Sequence, residues 1–278
     1  MSIPLSIITI NFNNRLGLKK TIESIISQTF KEFEWIVIDG GSTDGGKELL
    51  EKYQQHFSYW VSEPDNGIYH AMNKGISHVH GEYVNFMNSG DIFYNDTTLE
   101  EFFNNQLTGD LVYGEWLESI GTDLIPQFTP KEVSLDYFFK GNICHQSAFI
   151  KSNIIKKYGF DEKYKIVADW QIWVKMLIDG YSMQYVNQTI CIFDGNEGIS
   201  SIKDDKLMKE KDRMLEDTIP PCYIAILNEN YRMKKLLKDF DNCQLTAKDL
   251  SFLRWHPRYA NLINHSINLA SRIIKMFK

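Results

Sequence analysis

Apolar residues fall in two alternating rhythms over the first third of the chain. Residues 5–10 form a run that reads as a strand buried on both faces, and residues 18–28 place Ile22, Ile25 and Ile26 along one side of a helix. Residues 35–38 repeat the strand pattern, which completes a βαβ unit. A glycine-rich turn at 39–46 follows, then a helix through Leu49, Leu50 and Tyr53, a short strand at 59–61, a helix over 68–78 and a strand at 83–87. Strands and helices alternating at this length predict an α/β fold with a mostly parallel sheet and helices on both faces. In such a fold the ligand crevice lies beyond the carboxyl ends of the strands. The polar clusters 11–14, 39–44 and 88–91 all fall at such ends.

Between residues 111 and 193 the alternation continues with more turns and includes an aromatic, acid-bearing helix at 169–177. After residue 201 the composition changes: 203–217 is dense in alternating charge, Pro220 and Pro221 break the chain, and helical patterns continue to residue 278. These shifts predict a catalytic domain over residues 1–202 and a helical C-terminal extension over 203–278.

Composition narrows the class. The 278 residues are 43% apolar and 24% charged, enough to build a core, and the net charge of −6 gives no global reason to bind nucleic acid. An anionic ligand then needs a local site. Cys144, Cys191, Cys222 and Cys243 form no CxxC pair, which argues against a zinc site or a disulfide framework and suits a reducing cytoplasm. The apolar start lacks a basic flank and a cleavage site, and no stretch is long and apolar enough to span a bilayer.

Three segments carry candidate chemistry. In Asp39-Gly-Gly-Ser-Thr-Asp-Gly45 the small residues let backbone approach a ligand, Asp39 can accept a hydrogen bond from it, and Asp44 can cap the next helix. The glycine order is not that of the dinucleotide fingerprint, which counts against a nicotinamide enzyme. Asn88-Ser-Gly-Asp91 follows a strand, and a carboxylate there can hold a hard divalent cation. Asp169 opens the aromatic helix, as either a helix cap or a proton acceptor.

Taken in order, Ser6-Ile-Ile-Thr-Ile-Asn-Phe-Asn13, Asp39 to Gly45, Glu63-Pro-Asp-Asn-Gly-Ile-Tyr69, Ala71-Met-Asn-Lys-Gly75 and Gly81-Glu-Tyr-Val-Asn-Phe-Met-Asn-Ser-Gly-Asp91 make a specific set. The set resembles the inverting glycosyltransferases of family 2, which have the Rossmann-like GT-A fold, over about residues 3–200. That resemblance implies a nucleotide-diphosphate sugar donor, here expected to be a UDP-sugar, a divalent metal, and direct transfer to a glycan or lipid-linked acceptor. By position it implies that Thr9, Asn11 and Phe12 line the base, that Asp39 bonds the base edge, and that Asp65 and Lys74 lie beside the donor with Lys74 near a phosphate. Asn88, Ser89, Gly90 and Asp91 align with the family's metal-binding acidic turn. Asp91 is the one carboxylate left there to hold Mg²⁺ or Mn²⁺, because Asn88 and Gly90 replace two acids.

The family's general base maps to Asp169, and a single displacement needs one such base. The resemblance further suggests that His145 shapes the acceptor or diphosphate side, that Trp170 and Trp173 stack on a sugar, and that Asn196 and Glu197 belong to a loop closing over the donor. Aromatic residues three apart on a helix also suit a core.

Residues 254–278 carry five basic and no acidic residues, with Leu262, Ile263, Ile267, Ala270, Ile273, Ile274 and Phe277 at helical spacing. Such a segment suits peripheral docking on the inner, anionic face of a membrane; packing on the catalytic domain or in a homo-oligomer is the alternative. Two other functions stay open. A sugar nucleotidyltransferase is expected to show a glycine-rich, basic N-terminal phosphate loop, and residues 6–14 contain no glycine. A non-catalytic, donor-binding scaffold at the membrane would account for the missing first acid at Asn88.

Overall fold

A computed structural model describes residues 3–139, 141–196, 205–226, 229 and 231–232. The chain divides into two compact units, residues 1–218 and 219–278. The first contains β1 (Leu5–Asn11), α1 (Arg15–Ser27), β2 (Phe33–Asp39), α2 (Gly46–Tyr53), β3 (Tyr59–Ser62), α3 (Ile68–Ile76), β4 (Tyr83–Phe86), β5 (Ile92–Phe93) and α4 (Thr98–Phe103). It continues with β6 (Leu111–Ile120), β7 (Asp123–Pro126), α5 (Leu135–Phe138), β8 (Ala148–Lys151), α6 (Ser152–Tyr158), α7 (Ala168–Ile178), β9 (Met183–Asp194) and α8 (Asp205–Thr218). In the second unit, the carbonyl of Pro220 accepts from the N–H groups of Tyr223 and Ile224, which starts a helical turn after the proline pair.

One sheet runs through the first unit in the order β3-β2-β1-β4-β8-β6-β9-β5, with β7 paired to β6. β1 to β4 are mutually parallel, β8 joins β4 antiparallel, and β6 and β9 return to the direction of β1; only β5, β7 and β8 oppose it. The expected mostly parallel sheet is therefore present, with antiparallel strands confined to the half built after β4.

β1 is buried throughout because both of its faces are covered. Leu5 and Ile7 point to the side where α1 and α2 contribute Leu18, Ile22, Ile25, Leu49 and Leu50, together with Trp35 and Val37 of β2. Ile8 points to the other side, against α3. That helix comes so close that a Cβ on Gly75 would lie 2.6 Å from Ile8 Cγ2, so a side chain there would force the helix off the sheet. The start of α1 is set by Asn14, whose side-chain oxygen accepts from the N–H of Gly17 at 2.9 Å.

The charge-rich stretch after residue 202, expected to begin an extension, packs at 205–218 as α8 within the first unit. Glu210 accepts the N–H groups of Lys165, Ile166 and Val167 just before α7, and Asp217 accepts the Tyr164 hydroxyl at 2.8 Å. Alternating charge hid this, because α8 is amphipathic: Lys211, Met214 and Leu215 are its buried positions. Among the described residues no helix is long and apolar enough to cross a membrane.

Candidate active site

The parallel register pairs Asn11 at the end of β1 with Asp39 at the end of β2, and residues 88–91 follow β4 on the same edge. The chain thus gathers its three polar clusters at the carboxyl ends of neighbouring strands. A cavity of about 560 Å³ opens there, lined by Ile10 to Asn14, Gly40, Asp65, Gly67, Ile68, Ala71, Asn88 and Ser89.

Asp39 is fully buried and spends its carboxylate on the loop that carries it. Oδ1 accepts from Asn11 Nδ2 at 2.7 Å and Ser42 Oγ at 2.5 Å, and Oδ2 from the Ser42 N–H at 2.9 Å and Ser62 Oγ at 2.6 Å. Burial alone would raise its pKa, but donation by Ser42, Ser62 and Asn11 outweighs burial and leaves it below the ordinary aspartate value. Asp39 thus clamps β1, β2 and β3 around the cleft. Thr9 is also buried, behind the cleft, where its hydroxyl accepts from Trp35 Nε1 at 3.0 Å.

What faces the cavity is Phe12, 64% exposed, beside Gly40 and Asp65. Asp65 Oδ1 accepts from the Gly67 N–H at 2.8 Å, while a Cβ on residue 40 would meet Asp65 Oδ2 at 2.6 Å and Phe12 Cδ2 at 3.1 Å. Glycine at 40 is what lets the ring and the carboxylate meet over one backbone segment. Asp44 joins the loop to two helices, accepting the N–H of Arg15 at 2.7 Å and of Gly46 at 3.0 Å. Lys74 lies outside the lining, with Nζ 2.8 Å from Glu63 Oε1.

The turn after β4 is organised by Thr21 of α1, whose hydroxyl accepts from the Gly90 N–H at 3.0 Å and lies within donor distance of the carbonyls of Asn88 and Asp91. Gly90 has φ +108°, a conformation that favours glycine, which accounts for its place in the turn. Asp91 is buried below the cavity, with Oδ2 accepting from Gln146 Nε2 at 2.7 Å and Oδ1 from the Asp194 N–H at 2.9 Å. Burial pushes its pKa up to about 6, against the Asp194 N–H, Gln146 and His145; the Asp194 carboxylate adds to the rise. Both oxygens are thus engaged by protein donors, and among the described residues no three acidic, histidine or cysteine side chains converge as metal ligands. Asp91 would have to release one of these donors to hold Mg²⁺ or Mn²⁺.

Asn88 has a different partner. Its Nδ2 lies 3.0 Å from His145 Nε2, and His145 Nδ1 lies 3.1 Å from Asp169 Oδ2. Tyr69 donates its hydroxyl to Asp169 Oδ1 at 3.2 Å, and Asn142 Nδ2 approaches Oδ2 at 3.5 Å. Three elements meet here: α3 brings Tyr69, the turn before β8 brings His145, and the first turn of α7 brings Asp169. Burial would lower the His145 pKa, but the hydrogen bond and charge of Asp169 outweigh burial and raise it, with Cys144 and Asp91 adding to the effect. Burial, reinforced by Asp169, holds the Tyr69 phenol well above its ordinary value, so it stays a donor.

Other expectations separate clearly. Trp173 is buried and donates Nε1 to the Ile143 carbonyl at 3.2 Å, a core role; Trp170 is half-buried under Lys211 Nζ, 5.8 Å from its ring centre. Asn196 pins the β6–β7 hairpin, accepting the Gly121 N–H at 2.7 Å and donating to the Ser119 carbonyl at 3.2 Å, away from the cavity lining. Glu197 and the segment 254–278 lie outside the described residues. The sequence alone assigns no role to Tyr69, which ends the motif Glu63 to Tyr69, or to Gln146, the neighbour of His145; their partners are 100 and 55 positions away.

The profile of Glycosyl transferase family 2 matches residues 6–149. An uncharacterized glycosyltransferase of Mycobacterium tuberculosis is 36% identical over 172 residues, 59% of this chain and 65% of the relative. The chain thus matches a little under two thirds of that relative's length. A PGL/p-HBAD biosynthesis glycosyltransferase of Mycobacterium bovis is 28% identical over 214 residues, 72% of this chain and 80% of the relative. Among solved structures, S. aureus TarS in complex with UDP-GlcNAc superposes with TM-score 0.59 at 18% identity, covering 77% of this chain and 71% of that one. A mannosyltransferase of Pyrobaculum calidifontis in complex with GDP-Man and Mn²⁺ also gives 0.59, at 15% identity, covering 92% and 80%. These structures share the fold of the cleft-bearing sheet, and the profile match covers the strands and turns that build the cleft. The chain belongs to glycosyl transferase family 2.

Proposed function

We propose that this chain is an inverting glycosyltransferase that moves a sugar from a nucleotide-diphosphate donor, a UDP-sugar by first expectation, to a hydroxyl of a glycan or lipid-linked acceptor. One observation carries the reading: a cavity at the carboxyl ends of β1, β2 and β4 is connected through Asn88 and His145 to the buried carboxylate of Asp169. Direct displacement at the anomeric carbon needs one group to draw off the acceptor proton, and Asp169 supplies the charge for it. UDP-GlcNAc in the TarS complex and GDP-Man in the Pyrobaculum complex support the donor class. Phe12 offers a ring to a base, and Asp65 offers a free carboxylate oxygen beside it.

The test is a panel of UDP-, GDP- and dTDP-sugars, read first as thermal stabilisation and then as sugar transfer, with Mn²⁺ and with chelator. Asp169→Asn is expected to lower transfer by roughly 10²- to 10⁴-fold with donor affinity retained. Full transfer by that variant, or no donor that binds, refutes the reading. The basic, apolar-periodic sequence 254–278 supports a second element of the proposal, docking to an anionic membrane surface. The full chain is expected to co-sediment with acidic vesicles at low salt and to be released at high salt; salt-independent or absent sedimentation refutes docking.

A further inference from the structure

α7 begins without a cap of its own. The residue before it is Val167, which has no side-chain oxygen to accept the free N–H groups at the start of the helix. The approach to that start is held instead from α8. Glu210 Oε1 accepts the N–H groups of Lys165, Ile166 and Val167 at 2.8, 2.7 and 3.2 Å, three successive donors turned toward one carboxylate oxygen. The next residue, Lys211, is buried, donates Nζ to the Phe139 carbonyl at 3.1 Å and lies over the Trp170 ring. Gln171 Nε2 donates to Thr218 Oγ1 at 3.3 Å. α8 therefore grips the segment before α7 and the third and fourth residues of that helix, with Asp169 between them.

We infer that Glu210 is a positioning residue for the transfer: by closing the three N–H groups before α7 it fixes the turn on which Asp169 meets the acceptor. The inference rests on the transferase reading above, with Asp169 as the base, and adds the group that aims it.

The lever is short. Val167, Ala168 and Asp169 are all buried, so a backbone shift at 165–167 carries straight into the first turn of α7. The contacts of Tyr69, His145 and Asn142 with the Asp169 carboxylate, at 3.1 to 3.5 Å, fix which atoms it meets; Glu210 fixes where the backbone that carries it stands. A carboxylate suits that task, because three N–H dipoles aimed at one point leave partial positive charge there, and bonds to a charged acceptor are the stronger kind. A base that draws off a proton as the acceptor oxygen attacks must hold its distance to that oxygen. A misplacement of about 1 Å costs on the order of 10² in rate.

The experiment uses the full chain and measures transfer with radiolabelled donor of the class that the panel identifies, beside donor Kd by calorimetry and melting temperature. It compares wild type, Glu210→Ala, Glu210→Gln and Asp217→Ala, and places Glu210→Ala in Asp169→Asn as well. Glu210→Ala is expected to lose roughly 10- to 10²-fold in kcat while donor Kd stays near wild type. Glu210→Gln keeps an oxygen of the same reach and is expected to recover most of that rate. Asp217→Ala loses the Tyr164 contact of the same helix but leaves the three N–H groups covered; it is expected to lower the melting temperature and to keep the wild-type kcat. In Asp169→Asn, where the base is gone, Glu210→Ala is expected to cost little more, because the two residues act as one unit.

If Glu210→Ala, folded and donor-bound, transfers at the wild-type rate, or if its loss multiplies in full with that of Asp169→Asn, Glu210 does not aim the base; the inference is overturned and the transferase reading stands. Equal loss of kcat in Asp217→Ala also overturns it, since loosening α8 anywhere would then suffice. Should Glu210→Ala fail to fold, Glu210→Asp replaces it in every comparison, because it keeps the charge but draws the oxygens back by one methylene. If wild type binds a donor and transfers nothing to any acceptor, the transferase reading itself fails.

Discussion

Asp39→Asn separates a structural clamp from a ligand contact. Four donors converge on the buried Asp39 carboxylate, at 2.5 to 2.9 Å, two on each oxygen. An asparagine can satisfy one pair. If its oxygen stays with the Ser42 N–H and Ser62, its amide faces Asn11 Nδ2; if it turns over, it faces the Ser42 N–H. Either way two N–H donors oppose each other, while the serine hydroxyls can rotate to accept.

One desolvated, unpaired donor costs about 1–3 kcal/mol, and losing the charge weakens the remaining bonds, for a total of roughly 2–4 kcal/mol. At about 2–4 °C per kcal/mol for a unit of this size, the melting temperature should fall by about 4–16 °C. Linkage adds a signature. The folded pKa of Asp39 lies below its ordinary 3.8, so its contribution is present above that pH and is lost as pH falls through the folded value. The deficit of the variant should therefore be full at pH 7 and shrink in acid. Melting curves at pH 3 to 8 beside donor titrations measure both. A variant that melts within about 1 °C of wild type yet loses its donor would refute the clamp and return Asp39 to the ligand.

Asp91, with its pKa raised to about 6, has the opposite sign: it favours folding in acid, and that contribution is lost as pH rises through about 6. Asp91→Asn should therefore gain stability relative to wild type between pH 4 and 7, and a variant less stable than wild type at pH 8 counts against the buried-charge account. Because protein donors engage both Asp91 oxygens, Mn²⁺ without nucleotide should leave the wild-type melting temperature unchanged; a shift that disappears in Asp91→Asn would show that Asp91 opens to a metal. Thr9→Val strands the Trp35 indole N–H and should cost about 1–3 kcal/mol by urea unfolding while donor affinity stays the same. Weaker donor binding at unchanged stability would put Thr9 back in the cleft.

Local pattern was enough for the first half of the molecule. Residues 5–10, 35–38 and 83–87 are apolar on both faces, and only strands covered by helices on both sides keep such residues dry, so the parallel half of the sheet and the crevice at its carboxyl ends were legible. The motif order made the family legible as well, because glycines 40 and 90 meet backbone requirements that the chain states locally. Which donors hold each carboxylate was not legible. Asp39, Asp65, Asp91 and Asp169 look equivalent as letters, and their roles depend on donors brought from other elements: Ser62 from β3, Gln146 from before β8, Tyr69 from α3.

The place of residues 205–218 within the first unit was hidden for a related reason. The charge that marks α8 as polar includes Glu210, which is used up on three backbone N–H groups before α7. Periodicity reports which side of an element is dry. Burial of a polar group and the partner that satisfies it are set by contacts between distant segments, and the chemistry of this site, from Asn88 through His145 to Asp169, is made of such contacts.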